Sequence, residues 1–454
     1  MSLRRPILVF LPGVLILACT HSMRVPPKDG GGDGGQGGSN GFGGAGGQGG
    51  TGALGGGGQF GGANGSVLGR GGEGGCWWTK PSGAGGVQPG EDDGWPQSPT
   101  RVASPAPARV RIDAWTAMSN VGTPSGPRQG ATAVWTGTEM IVWGGQDGRP
   151  EATGGRYDPV ADTWSPVSTS VAPKARSGHV AVWIGTEMIV WGGYDGGNIF
   201  VSGGRYDPSA DKWTVISTVG APANASDPRA MWTGTEMIVW GGQISTGVAS
   251  GRYDPSTDTW RSLSTVGAPV GQLGSSLVWT GTEMIVWGGY VTGACASALG
   301  AIYNPSTDAL RPMTTVGAPH PRFDHSAVWT GTQMIIWGGS NLSPNAASYD
   351  PAADAWYALS NVEAPSIRTR PALFFLPDPG TPGSGRMLLW GGADNYNATT
   401  GALYDFLPDQ WEVVAPFPTI DAAPNPGSTQ TTVWTGSEML VWDVAFGVGG
   451  RYRP

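Results

Sequence analysis

The chain has 454 residues, a formal net charge of −8, 13 % charged residues and a pI near 5.0, with no cluster of Lys or Arg. That balance argues against nucleic acid as a partner, since tracking phosphates requires concentrated positive charge. So few charges leave a surface of Ser, Thr, Asn, Gln, Gly and Ala, which suits polar, uncharged partners such as glycans and equally suits no partner at all; by length alone the chain suggests roughly three domains.

The first element is an export segment over residues 1–18. Arg4-Arg5 precede an apolar run from Ile7 to Ala18 that is too short to cross a bilayer as a stable helix. Ile16-Leu17-Ala18-Cys19 resembles the lipobox of bacterial lipoproteins, whose Cys becomes the lipidated first residue of the mature chain. The resemblance implies lipidation at Cys19 and attachment to the bacterial cell envelope through that lipid alone. Thr20 stands where the familiar retention pattern has Asp, which implies the outer membrane. An ordinary signal peptide containing a Cys is the alternative. A twin-arginine signal is weakly suggested by Arg4-Arg5, against Pro6 and the missing polar context.

Residues 19–108 follow as a tether. Gly dominates from Gly30 to Gly75, and Pro, Gly and Ser from Pro81 to Pro107, so neither stretch buries enough apolar surface to offset its ordering entropy. A coil of this length spans some tens of ångströms, roughly, by square-root scaling. The island Cys76-Trp77-Trp78 interrupts it. With Cys19 lipidated, Cys76 and Cys295 remain as an even pair in an oxidising compartment, either bridged or as two free thiols.

From residue 109 to 454 one unit recurs. Second-strand Trp stand at 143, 191, 240, 287, 337, 390 and 442, in steps of 47 to 53 residues, so the unit is a supersecondary element rather than a domain. Each unit reads as four short strands. Thr136-Gly137-Thr138 is a hairpin joining the first strand, ending at Trp135, to the second, Glu139 to Trp143. A variable loop follows Gly144-Gly145. The third strand surrounds Gly155-Arg156-Tyr157, the Asp158-Pro159 turn closes it, and the fourth begins at Thr163-Trp164. Of the 22 Trp, 19 fall on first-, second- and fourth-strand positions, where they fill the wedge between neighbouring units.

The glycine pair, the third-strand Tyr (157, 206, 253, 303, 349, 404, 452) and the fourth-strand Trp (164, 213, 260, 356, 411) resemble the kelch repeat, with Leu310 replacing Trp in one unit. The resemblance covers about residues 111–454 and implies an all-β, seven-bladed propeller of four-stranded antiparallel blades, in the superfamily of the galactose oxidase central domain. The chain ends at Arg451-Tyr452-Arg453-Pro454, where a unit would continue with Asp-x-Trp. That missing piece is Asp113-Ala114-Trp115, so the last blade is expected to close with an N-terminal strand drawn from residues 111–118.

Residues that differ between units are the candidates for function. Loops after the glycine pairs supply Gln146, Asp147, Tyr194, Asp195, Asn198, Gln243, Tyr290, Asn341, Asp394, Asn395 and Tyr396, and loops before the first strands supply Arg176, His179, Arg322, Asp324, His325 and Arg370. Catalytic patterns are not met. Copper radical oxidases sharing this propeller need two Tyr and two His ligands with one Tyr joined to Cys; here His179 and His325 share one slot in different units, and no Cys accompanies a matching Tyr. No zinc spacing, nucleophile elbow or phosphate loop occurs, so no metal, cofactor or catalytic residue is assigned. Arg at 156, 205, 252 and 451 accompanies Glu at 139, 187, 236 and 438, which predicts cross-strand pairs that set register. The expected function is a monomeric binding or scaffolding module for a glycan or protein ligand. The alternative is a carbohydrate-active envelope enzyme, an oxidase or lyase, by fold analogy alone.

Overall fold

The structure is a computed structural model that describes residues 114–124, 128–223, 227–242, 250–269, 273–290, 296–340, 346–381, 383–393, 400–414, 430–443 and 448–454. Cys19, Cys76, Cys295 and the segments read as export signal and tether lie outside them, as do Gln243, Asn341, Asp394, Asn395 and Tyr396.

Seven antiparallel sheets form a ring, six with their strands in chain order from the inside outward and the seventh closed on its outer edge by the N-terminal strand. Blade 1 comprises Gln129–Trp135, Met140–Asp147, Gly154–Asp158 and Thr163–Pro166, with the short strand Arg149–Pro150 paired to the end of its second strand. First strands of successive blades lie against one another and line the axis, with Gln129–Trp135 meeting both Val180–Trp183 of blade 2 and Gln430–Trp434 of blade 7. Blade 7 is completed by Ala114–Ala117, which pairs with Val448–Arg453 in a register that sets Trp115 opposite Tyr452. The closing strand is therefore the one expected, and it removes the open edge on which another chain could pair.

The unit folds as read because each recurring residue has a local task. In the first hairpin Gly137 sits at φ 105°, and Thr136 Oγ1 accepts the Glu139 amide at 2.9 Å. The second strand, Met-Ile-Val-Trp in most blades, is buried throughout. Gly144 and Gly145 lie at φ 69° and 87°, and a Cβ on Gly144 would stand 2.6 Å from His179 Cε1 and 3.0 Å from the Arg176 carbonyl. This pair is thus required both by backbone conformation and by the closeness of the next blade.

Blades are held together by aromatic stacking and by one repeated polar latch. The second-strand Trp of each blade packs on the fourth-strand Trp of the next: Trp143 on Trp213, Trp191 on Trp260, Trp287 on Trp356, Trp390 on Trp115 and Trp442 on Trp164, with ring centroids 4.3–5.3 Å apart. Leu310 takes that place opposite Trp240. In the latch, Tyr206 Oη donates to Asp211 Oδ1 at 2.5 Å, and the same oxygen accepts the Ser168 amide of the preceding blade at 2.9 Å. Trp213 Nε1 donates to the Ser168 carbonyl. Equivalent latches join Tyr157, Asp162 and Ser119, and Tyr253, Asp258 and Ser217. The first Asp of the turn caps it, Asp158 Oδ1 accepting the Val160 amide at 2.7 Å.

The predicted Arg–Glu pairs are present, at 4.0 Å for Arg156–Glu139, 3.6 Å for Arg205–Glu187 and 2.8 Å for Arg451–Glu438. They do more than set register. Arg156, Arg205 and Arg451 each donate onward to the turn carbonyl of the following blade, at Pro208, Pro255 and Pro159.

Candidate functional site

Antiparallel order places the first hairpins and the third-to-fourth-strand turns at one end of the blades, and the glycine-pair loops and the segments entering the first strands at the other. Most loop residues singled out in the sequence belong to this second face, and the structure separates them into three groups.

The first group is interior. His179 and His325 are buried, each with Nε2 2.8 Å from a hydroxyl of the preceding blade, Thr132 Oγ1 and Ser276 Oγ. Each ring meets a second-strand Trp edge-on, Trp143 or Trp287. Burial, with Arg176 adding to it, lowers the His179 pKa to about 3, and His325 is likewise held well below the ordinary value. Both imidazoles are thus neutral packing elements at two separate blade interfaces. Arg176 and Arg322 are interior as well, although their position suggested loop residues. Arg176 Nη1 donates to the Gly192 and Ser202 carbonyls, and Arg322 Nη1 to the Gly338 carbonyl. Burial draws both guanidinium pKa values down to about 10. Arg128 and Arg368, which the sequence reading passed over, tie Gly144 to Thr153 and Gly391 to Thr400 in the same way. Their signal was available: Arg128, Arg176 and Arg322 each precede a first-strand Trp by the same interval.

The second group forms the loops of blades 1 and 2. Gln146 accepts from Ser177 Oγ at 3.1 Å. Asp195 accepts the amides of Gly197 and Asn198 and the Asn198 side chain, bonds that hold its carboxyl below the usual range. Tyr194 pairs through its backbone with Ser177, and Asp147 is exposed.

The third group converges. Asp324 and Arg370 meet Asp227 and Arg229, neither of which the sequence reading selected. Arg370 Nη2 lies 2.9 Å from Asp324 Oδ1 and 3.8 Å from Asp227 Oδ2; Arg229 Nη1 lies 3.2 Å from Asp227 Oδ1, and Arg229 Nη2 lies 4.0 Å from Asp324 Oδ1. These side chains come from blades 3, 5 and 6, and an Asp227–Arg370 contact between blades that are not neighbours is possible only at the axis. The four therefore span the channel mouth. Tyr290 of blade 4 flanks them, its ring stacked on Phe323 at 4.6 Å. Burial first, then Asp324 and Asp227, raises the Tyr290 pKa, so its phenol is neutral and able to donate.

The backbone under this cluster is unusual. Asp227, Asp324 and Arg370 occupy one repeat position, five residues before the last aromatic residue of the first strand, at φ 55°, 56° and 54°. Blades 1, 2 and 4 place Gly130, Gly178 and Gly274 there, at φ 70°, 60° and 69°. A left-handed residue with a Cβ costs about 1–2 kcal/mol, least for Asp, and such strain concentrates where a side chain is needed for function. The side chains are 9–18 % exposed and formally neutral as a set of two acids and two bases, so the charges compensate one another in a partly dry mouth. The arrangement offers donors, acceptors and aromatic edges in a space of a few ångströms. Among the described residues no group of three or more His, Cys, Asp or Glu is placed to hold a metal ion.

A ring of seven four-stranded blades, with the glycine pair after the second strand and aromatic residues on the third and fourth, defines a kelch propeller. The KLHDC2/KLHL20/DRC7 Kelch-repeats domain family matches residues 109–246 and 227–442, more than half of the chain, and the chain belongs to it. A comparison with curated proteins found no match.

Proposed function

We propose that this propeller is a binding or scaffolding module for a polar ligand, a glycan or a protein, held at the bacterial envelope by lipid on Cys19. The observation that carries the binding site is the axial cluster: three blades install Asp227, Asp324 and Arg370 at a left-handed position that three others leave to glycine. Such a mouth matches a ligand with several hydrogen-bonding groups, since each buried polar group must find a partner. The envelope reading rests on the apolar run ending at Ala18-Cys19.

The test exploits the repeat itself. The double variant Asp324→Gly with Arg370→Gly restores the residue of other blades, so backbone conformation is retained while one acid and one base leave together. The full chain is screened on a glycan array and against envelope proteins, and the strongest hit is titrated into both forms. Affinity in the variant is expected to fall at least tenfold; equal affinity with equal melting places the site elsewhere. Cys19→Ser is expected to release the protein from membranes, and a mature N-terminus at any other residue refutes lipidation.

A further inference from the structure

A second concave surface lies on the opposite face. It is a cleft of about 620 Å³ between blades 2 and 3, bounded by both first hairpins and by the third-strand turn of blade 3. Its floor is Ile184 and the half-buried Trp232, and its walls carry Arg205, Arg261, Glu187 and Glu236. The volume lies within the usual range for small-ligand sites, roughly 300–1,000 Å³.

This interface differs from that of blades 1 and 2 in two residues. Ile184 stands where blades 1, 3, 4, 5 and 7 have Thr136, Thr233, Thr280, Thr330 and Thr435, whose hydroxyls cap the hairpin by accepting an amide. The blade 2 hairpin keeps only its backbone bond, from the Ile184 amide to the Glu187 carbonyl. A repeated cap has been exchanged for an apolar surface beside an indole. Secondly, Arg261 stands where blades 1 and 2 have Ser165 and Thr214; like Arg311 on Glu283 in blade 4 it pairs with the hairpin Glu, so Glu236 is met by two guanidinium groups, Arg252 and Arg261. The Arg261 side chain is 61 % exposed and uses Nη2 alone, leaving Nε and Nη1 directed to no protein group. Arg205 reaches Pro255 through Nη1 and lies 3.6 Å from Glu187 through Nε, leaving Nη2 without a hydrogen bond.

We infer that this cleft binds an acidic sugar, a short uronate-type oligosaccharide whose ring face rests on Trp232 and Ile184 while its carboxylate takes the unused donors of Arg261 and Arg205. An aromatic and aliphatic floor suits the CH face of a pyranose, and a planar carboxylate matches the guanidinium fork. Thr235, Ser256 and Glu187 line the cleft as partners for ring hydroxyls. Of the three carboxylates lining the cleft, Glu187 and Glu236 are already paired to arginine and Asp254 is turned to the Ser256 amide and hydroxyl. The inference is independent of the axial mouth.

Calorimetric titration of the full chain with α-1,4-linked trigalacturonate, and with neutral galactotriose, tests it. Trigalacturonate is expected to saturate one site, to weaken with added salt, and to bind at least tenfold more tightly than the neutral trisaccharide. Arg261→Gln, which removes the charge at an exposed side chain without setting a second carboxylate against Glu236, should weaken it at least tenfold with melting nearly unchanged. Ile184→Thr, the residue of five other blades, should weaken it about threefold or more. A loss of trigalacturonate affinity in the Asp324→Gly, Arg370→Gly variant would place the sugar at the channel mouth and overturn the inference. No saturation in the millimolar range, equal binding of the neutral sugar, or equal affinity in Arg261→Gln overturns the inference.

Discussion

Between blades 1 and 2 the outer latch is Tyr206, Asp211 and the Ser168 amide, and the same three groups recur from blade to blade; at the axis, one backbone position holds Gly130 or Gly178 in some blades and Asp227, Asp324 or Arg370 in others. Both places use left-handed backbone. Asp211, at φ 47°, occupies it to satisfy a turn and a neighbour, and its oxygen is consumed by two bonds. Asp324, at φ 56°, occupies it where glycine serves other blades equally well. Uniform side chains mark positions that build the ring, and a strained side chain that breaks the repeat marks a position used for something else.

The comparison is broken most severely by opening the ring. A chain beginning at residue 122 lacks Trp115 and the Ser119 latch to Asp162, and leaves Val448–Arg453 as an open edge. It is expected to aggregate and to lose cooperative melting, whereas a chain beginning at residue 105 melts as the full chain does; calorimetry decides.

At a single interface, Trp213→Ala removes a fully buried ring stacked on Trp143 and is expected to cost about 3–5 kcal/mol, read by denaturant unfolding. The buried imidazole adds a pH dependence. The unfolded state takes up a proton near pH 6.5, whereas folded His179, lowered to about 3 by burial, refuses it. Its contribution is therefore full above about pH 6.5 and declines by about 1.4 kcal/mol per pH unit as pH falls toward 3. Melting curves at pH 7 and pH 5 should differ less in His179→Gln than in wild type. Asp211→Ala leaves the Tyr206 hydroxyl and the Ser168 amide without their shared acceptor and is expected to cost about 1–3 kcal/mol.

The smallest effect is expected at the axis. In Asp324→Gly with Arg370→Gly, lost pairing is offset by relief of two strained residues, so stability should stay within about 1 kcal/mol of wild type. A destabilisation as large as that of Trp213→Ala would place the cluster with the outer latch, as architecture.

Architecture was legible because the repeat supplies its own controls. Seven copies of one spacing expose hairpin, glycine pair and turn, and the tail at Tyr452 with Trp115 at the other end implies closure. Even the partners of Arg156 and Arg451 were readable, since residues on adjacent strands vary together when they touch. The candidate site was only partly legible. Tyr290, Asp324 and Arg370 were selected among many polar loop residues, while His179 and Arg176 were selected on equal grounds and proved to be interior. Position within a loop says nothing about whether a side chain turns toward the next blade or toward the axis.

What the sequence determined by itself was therefore local and periodic: strand order, turn chemistry, the aromatic wedges and the closing strand, all set by contacts within a unit or between adjacent units of identical design. Only the tertiary structure decided what meets across the ring. Asp227 and Arg370 are separated by blades 4 and 5 and share no strand pairing, and although they hold the same repeat position they come within 3.8 Å solely because seven blades of this size close on one axis. The cleft above Trp232 has the same origin, since Ile184 and Arg261 belong to different blades and become one surface through the angle at which those blades pack.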